Sequence, residues 1–136
     1  MSEPSSRKPH DFDWIAARSL CSIQHMFEEL KIAIRQDVDT INAHQGENTS
    51  SRHFRIVERA KLLKVFEEDA FADYPPAVTF ILAGEVIHVQ DGENKEMFAI
   101  KIGLNDCGDC RYVVNGNERD SWQIRRQAFE ELFFRG

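Results

Sequence analysis

The fold class of this chain can be predicted from residues 77–116, AVTFILAGEVIHVQDGENKEMFAIKIGLNDCGDCRYVVNG. They contain four short runs that are rich in β-branched and aromatic residues or that alternate in polarity, namely 77–82, 85–90, 97–102 and 111–114. Turn-forming residues separate the runs: Ala83-Gly84, the segment 91–94, the segment 105–109, and finally Asn115-Gly116. Because each connection is short, the segment predicts an antiparallel β-meander.

The residues after this meander predict a helix that packs on the sheet. Asp120 is a suitable N-cap, and Gln123 three residues later completes a pattern typical of a capping box. Four large apolar side chains are expected on the face that covers the sheet: Trp122, Phe129, Leu132 and Phe133. Of the adjacent pair Phe133-Phe134, one ring should be buried, and Phe134 is a candidate for a subunit interface.

The residues before the meander begin with an apolar stripe at helical spacing. Its members recur at steps of three and four: Ala16, Leu20, Ile23, Phe27, Leu30, Ile34, Val38 and Ile41. No Gly or Pro interrupts residues 11–45, and Gly46 follows where a helix often ends. An unbroken helix of this length spans about 50 Å and overhangs a domain of this size, which predicts a homodimer through the N-terminal helix. The alternative is a bend at residues 36–39 that folds both halves onto the chain's own sheet.

The segment 53–72 fits both a helix and a strand pair, with a slight preference for an extended hairpin that adds strands to the sheet. Residues 45–52 form a polar linker, and residues 1–10, with two Pro and three Ser, predict a disordered tail. The expected architecture is a single α+β domain over 11–136, with a long N-terminal helix, four to six antiparallel strands and a C-terminal helix packed on the sheet.

Composition narrows the class of partner. The formal charge of -6 and the isoelectric point of about 5.3 argue against general nucleic-acid binding, which depends on neutralised phosphates. Arg119, Arg125 and Arg126 form a local basic run, for which a solvated helix face is the simpler interpretation. No stretch approaches the roughly 20 apolar residues of a membrane span, and three cysteines do not make a disulfide framework, so a soluble cytoplasmic protein is expected.

The sharpest local motif is Cys107-Gly108-Asp109-Cys110. A thioredoxin-like site needs its first cysteine at a helix N-terminus, whereas this motif leads into a predicted strand. A zinc site needs two more ligands, for which Cys21 and His25, four apart on the long helix, are the candidates. The simplest interpretation is an ordinary turn with two incidental thiols; a zinc-stabilised or thiol-responsive protein is the alternative.

Catalytic patterns are weak. A Cys107 or Cys110 nucleophile paired with His88 is conceivable, and a ligand site on the concave sheet face would use His88 and Tyr112 as polar groups. The sequence contains no phosphate-binding glycine loop, no EF-hand loop and no G-x-S-x-G. The function expected from the sequence is therefore a non-enzymatic, dimeric protein-interaction or assembly module, to which we assign no catalytic, cofactor-binding or metal-binding residue and for which the protein partner is unknown.

Overall fold

The chain folds as an antiparallel sheet with helices at both ends, in a computed structural model that describes residues 11–46, 52–68 and 75–134. The elements follow in the order α1 (Trp14–Leu20), α2 (Ile23–Gly46), β1 (Phe54–Arg59), β2 (Leu62–Glu67), β3 (Ala77–Ala83), β4 (Val86–Asp91), β5 (Glu96–Leu104), β6 (Cys110–Val114), β7 (Asn117–Arg119) and α3 (Ser121–Phe134). This confirms the α+β class. The predicted tail at 1–10 and most of the predicted linker lie outside the described residues.

The sheet is a plain meander in which each strand pairs with the next, in the spatial order β1 to β7. The predicted strands of 77–116 are confirmed, and the ambiguous segment 53–72 forms the hairpin of β1 and β2 over its described part, with 69–72 outside the described residues. The expected count of four to six strands is too low, because the described residues form seven. Asn115 and Gly116 both have positive φ, 53° and 79°, as in a type I′ turn, and the three polar residues of β7 pair back onto β6. The sequence does not predict β7, because its three residues carry no apolar alternation.

The N-terminal helix is not continuous, which corrects the prediction of one helix over 11–45. The chain breaks at Cys21 and Ser22, between α1 and α2. The Oγ atom of Ser22 accepts a hydrogen bond from the backbone N–H of His25 at 3.1 Å, so Ser22 is the N-cap of a new helix. Helix α2 then runs through residues 36–39, where the alternative placed a bend.

The apolar stripe of α2 packs on the chain's own sheet. The six stripe residues from Ile23 to Ile41 are at most 6% exposed. They belong to one core cluster with a row of paired residues that crosses four strands, consisting of Leu63, Phe80, Val89 and Phe98. Helix α3 covers the same sheet face, with the rings of Phe129 and Phe80 5.7 Å apart. The stripe is thus not available to a partner helix, and a dimer needs another surface. Helix α1, in contrast, has no buried residue.

A buried lysine joins α2 to the first hairpin. Lys31 is 2% exposed, and its Nζ donates to the carbonyl oxygens of Arg59 at 3.2 Å and Ala60 at 3.4 Å. The same Nζ lies 2.9 Å from a carboxylate oxygen of Glu28 and 3.5 Å from one of Glu58. Arg35 and Lys31 hold the pKa of Glu58 below its usual value, chiefly through the hydrogen bond from Arg35. The Lys31 ammonium group on α2 therefore supplies hydrogen-bond donors to the carbonyl oxygens of the turn between β1 and β2.

We expect Lys31→Met to lower the free energy of unfolding by about 1 to 3 kcal/mol, because the variant removes the buried ammonium group that donates to two turn carbonyls. The measurement is urea unfolding followed by circular dichroism. Lys101→Met is the matched control, since Lys101 is exposed on the opposite sheet face, and it should change stability by less than about 0.5 kcal/mol. Equal effects of the two substitutions would show that the Lys31 contacts do not stabilise the fold.

Candidate functional site

The three cysteines lie close to one another in the fold. Cys21, at the break between α1 and α2, forms a disulfide with Cys110, the first residue of β6, with the two Cα atoms 5.4 Å apart. Cys107 is free and exposed. The interpretation of two incidental thiols is therefore wrong for Cys110. The zinc hypothesis placed Cys21 beside the C-x-x-C turn. Cys21 does lie beside that turn, but it is joined to Cys110 by a disulfide rather than by a shared metal ion.

The fourth proposed zinc ligand is elsewhere. The Nε2 atom of His25 lies 3.0 Å from a carboxylate oxygen of Glu29, and its side chain is 62% exposed. Over the described parts of the chain, no group of three or more His, Cys, Asp or Glu side chains is placed to hold a metal ion. Cys21, His25, Cys107 and Cys110 thus do not come together as a tetrahedral set.

His88 and Tyr112 point to opposite faces of the sheet, which overturns the ligand site that combined them. His88 lies on the face away from the helices, where its Nδ1 contacts a carboxylate oxygen of Glu96. Tyr112 is 6% exposed beneath α2, and its hydroxyl donates to the carbonyl oxygen of Met26 at 2.8 Å. Cys110 is held in the disulfide, so it is not a free nucleophile for His88.

The buried phenol makes the fold sensitive to alkaline pH. Burial, aided by the nearby Glu29 carboxylate, raises the pKa of Tyr112 from 10.0 to about 12. Well below pH 10 the phenol is protonated in both the folded and the unfolded chain, so its full contribution to folding stability is present. Between the two pKa values the unfolded chain loses this proton while the folded chain keeps it, so stability falls as pH rises, by about 2 to 3 kcal/mol in full.

We expect this alkaline loss to disappear in Tyr112→Phe. The measurement is urea unfolding of both proteins at about pH 8 and about pH 11, because other groups titrate alike in the two and cancel in the comparison. At the lower pH the variant should be less stable by about 1 kcal/mol, the value of the lost hydrogen bond. Parallel losses at the higher pH would contradict the assignment.

Helix α3 carries the second candidate site. The predicted capping box forms in part: the Gln123 side chain accepts from the Asp120 backbone N–H at 2.8 Å, whereas the Asp120 carboxylate pairs with Arg111. Phe129 is buried as predicted, and so are Leu132 and Phe133. Trp122 is not, because it is 54% exposed and lines a cleft beside α2 rather than the sheet. Phe134 is 67% exposed, as expected for the outer member of its pair.

This cleft lies between the second half of α2 and the whole of α3, with a volume of about 720 Å³. Ile41, Phe129 and Phe133 contribute buried apolar side chains to it. An ion pair joins the two helices beside the cleft, with a guanidinium nitrogen of Arg125 2.7 Å from Oδ1 of Asp37. The predicted basic run is thus partly neutralised by contacts within the chain.

Four exposed residues at steps of four form the outer border of this cleft on α3. They are Trp122, Arg126, Glu130 and Phe134, which we call the α3 ridge. Arg126 and Glu130 are 69% and 58% exposed and pair with each other, Nε to Oε1, at 2.9 Å. The ridge therefore has an aromatic ring at each end and one charge of each sign between them. The four-residue spacing is present in the sequence, but the ridge was not predicted because Trp122 was expected on the face that covers the sheet.

Comparison with protein-family models, with curated proteins and with solved structures found no match to this chain. In the described ranges no helix is both long and apolar enough to cross a membrane.

Proposed function

We propose that this chain is a non-enzymatic protein-interaction module that forms a homodimer through the α3 ridge. The observation that carries the proposal is the symmetry of the ridge. Trp122 and Phe134 each lie six residues from Ala128 along the helix, and Arg126 and Glu130 each lie two residues from it. A surface of this kind is complementary to a copy of itself after a two-fold rotation, which is the symmetry of most homodimers.

An antiparallel pair of α3 helices matches every position of the ridge. Trp122 then lies against the partner's Phe134, and Arg126 lies against the partner's Glu130, each contact occurring twice. A parallel pair would instead place Arg126 against the partner's Arg126. Charge complementarity therefore favours the antiparallel arrangement, since like charges in close contact are unfavourable.

The ridge also has a shape that helix packing uses. Residues at steps of four form one of the two natural ridges of a helix, and two such ridges interdigitate at a crossing angle near −50°. The cleft of about 720 Å³ beside the ridge has room for aromatic side chains of a partner. Tryptophan, together with arginine, is enriched among the residues that dominate binding energies.

The affinity should be modest. Two short helices and the adjoining cleft fall at the small end of specific interfaces, and interfaces of that size are commonly transient. We place the module in the cytoplasm, because three cysteines are too few for the disulfide framework of a secreted domain. A single cytoplasmic disulfide is expected to be redox-responsive rather than permanent.

Charge reversal on the ridge tests the proposal. Glu130→Arg places positive charges opposite each other at both symmetric contacts, so we expect the dimer dissociation constant to rise about tenfold or more. Sedimentation velocity over a wide concentration range measures it. The matched control is Glu131→Arg, an identical charge change at an exposed neighbour on α3, which should leave dimerisation nearly unchanged. A wild-type monomer at every concentration, or equal effects of the two variants, would refute the proposal.

A further inference from the structure

The three cysteines differ in exposure in a way that gives the disulfide one accessible side. Cys21 is 2% exposed, Cys110 is partly buried, and Cys107 is free and exposed three residues before Cys110. Of the two bonded cysteines, Cys110 is therefore the less buried, and it is also the one nearer to Cys107 along the chain. In thiol–disulfide exchange, access decides which sulfur is attacked and hence which sulfur leaves.

The turn between β5 and β6 keeps Cys107 close to Cys110 along the chain. The Asn105 side-chain oxygen accepts from the backbone N–H of Cys107 at 3.0 Å and from that of Asp109 at 2.9 Å. The Asn105 N–H also donates to the Asp109 carbonyl oxygen at 2.9 Å, which closes the turn. Gly108, with φ of 83°, lies between the two cysteines and supplies the backbone freedom that a C-x-x-C disulfide requires.

We propose that Cys107, Cys110 and Cys21 form a thiol–disulfide exchange site. The Cys107 thiolate attacks Sγ of Cys110, a Cys107–Cys110 bond forms, and the Cys110–Cys21 bond breaks. The electron pair of the broken bond leaves on the Cys21 sulfur, which takes up a proton in place of the one that Cys107 lost. One disulfide is exchanged for another, so the step needs no external oxidant or reductant.

The exchange would release α1. Cys21 is the residue that follows α1, and the disulfide links it to β6. Helix α1 has no buried residue and contacts β5, and the disulfide adds a covalent link from its C-terminal end to β6. Trp14, Ile15 and Leu20 are already 61%, 62% and 79% exposed. The site therefore acts as a covalent latch on an apolar helix, which is a thiol-responsive function separate from dimerisation.

Disulfide mapping tests the exchange directly. Oxidised wild-type protein is incubated at neutral to mildly alkaline pH, quenched with acid, treated with N-ethylmaleimide and digested with trypsin without reduction. Cleavage after Arg18, Lys31, Lys101 and Arg111 gives peptides 19–31 and 102–111. The starting form yields the two peptides cross-linked, with maleimide on Cys107. The exchanged form yields peptide 19–31 with maleimide on Cys21, and peptide 102–111 with an internal disulfide.

We expect the exchanged form to accumulate with time, faster at higher pH because the thiolate is the nucleophile, and at a rate independent of protein concentration. Cys107→Ser should abolish the exchange. Because Cys107 is exposed, this substitution should leave the fold intact, so the loss would not result from misfolding. The proposal is wrong if wild type yields only the cross-linked peptides at every time and pH. It is equally wrong if all three cysteines of the untreated protein are alkylated, or if Cys107→Ser still yields maleimide on Cys21.

Discussion

Leu30→Ala should lower the free energy of unfolding by about 3 to 5 kcal/mol. Leu30 is 0% exposed at the centre of the apolar stripe, between the helix and the sheet. Truncation removes buried methyl groups and leaves a cavity that a close-packed core fills only in part. The measurement is urea unfolding at a concentration where wild type is monomeric, so that dissociation does not contribute.

The matched control lies two residues further along the same helix. Ile32 is 48% exposed, on the side of α2 away from the sheet. Ile32→Ala should cost less than about 1 kcal/mol, because little apolar surface is buried there. A Leu30→Ala loss no larger than that of Ile32→Ala would mean that the stripe does not pack on this chain's own sheet, and the N-terminal helix would again be the candidate for a dimer contact.

Cys21→Ser should cost about 2 to 4 kcal/mol relative to the oxidised wild type. The disulfide joins residues 89 positions apart and closes a long loop in the unfolded chain. Its loss opens that loop and so increases the conformational entropy of the unfolded chain. Urea unfolding of the variant, and of wild type with and without dithiothreitol, measures the effect. Reduction of wild type should reproduce most of the loss caused by the substitution.

Cys107→Ser is a second background for this prediction, since exchange with Cys107 is blocked there and the oxidised variant can carry only the Cys21–Cys110 bond. Reduction should destabilise the Cys107→Ser variant by at least as much as it destabilises wild type. If reduction leaves the stability of wild type unchanged, the Cys21–Cys110 bond does not form in the protein or does not constrain its unfolded state.

Much of the fold was predictable because the relevant signals are local. The alternating residues of β5 and the turn residues at 91–94 specify a strand and its connection without reference to distant parts of the chain. In that turn the Asp91 carboxylate accepts from the backbone N–H groups of Glu93 and Lys95, as the composition implied. The break of the N-terminal helix was missed because a single capping serine, Ser22, competes there with an otherwise unbroken helical pattern.

The candidate sites were less predictable because they depend on distant contacts. Periodicity placed Trp122 on the same side of α3 as Phe129, but whether α2 or the sheet lies opposite it is decided by how the two helices dock. The pairing of Cys21 with Cys110 joins two ends of the sequence, and spacing alone does not specify a disulfide partner. The burial of Lys31 likewise depends on a hairpin turn almost 30 residues away.

The most direct test of the α3 dimer mixes two singly reversed chains, Arg126→Glu and Glu130→Arg. Each alone places like charges across the two-fold axis and should be mostly monomeric. Together they restore opposite charges at both contacts, so native mass spectrometry of the mixture should show the heterodimer and little of either homodimer. Loss of folding in either chain does not give that pattern. A mixture that remains monomeric while wild type dimerises, or one that forms homodimers and heterodimers in statistical proportion, would contradict the antiparallel ridge contact.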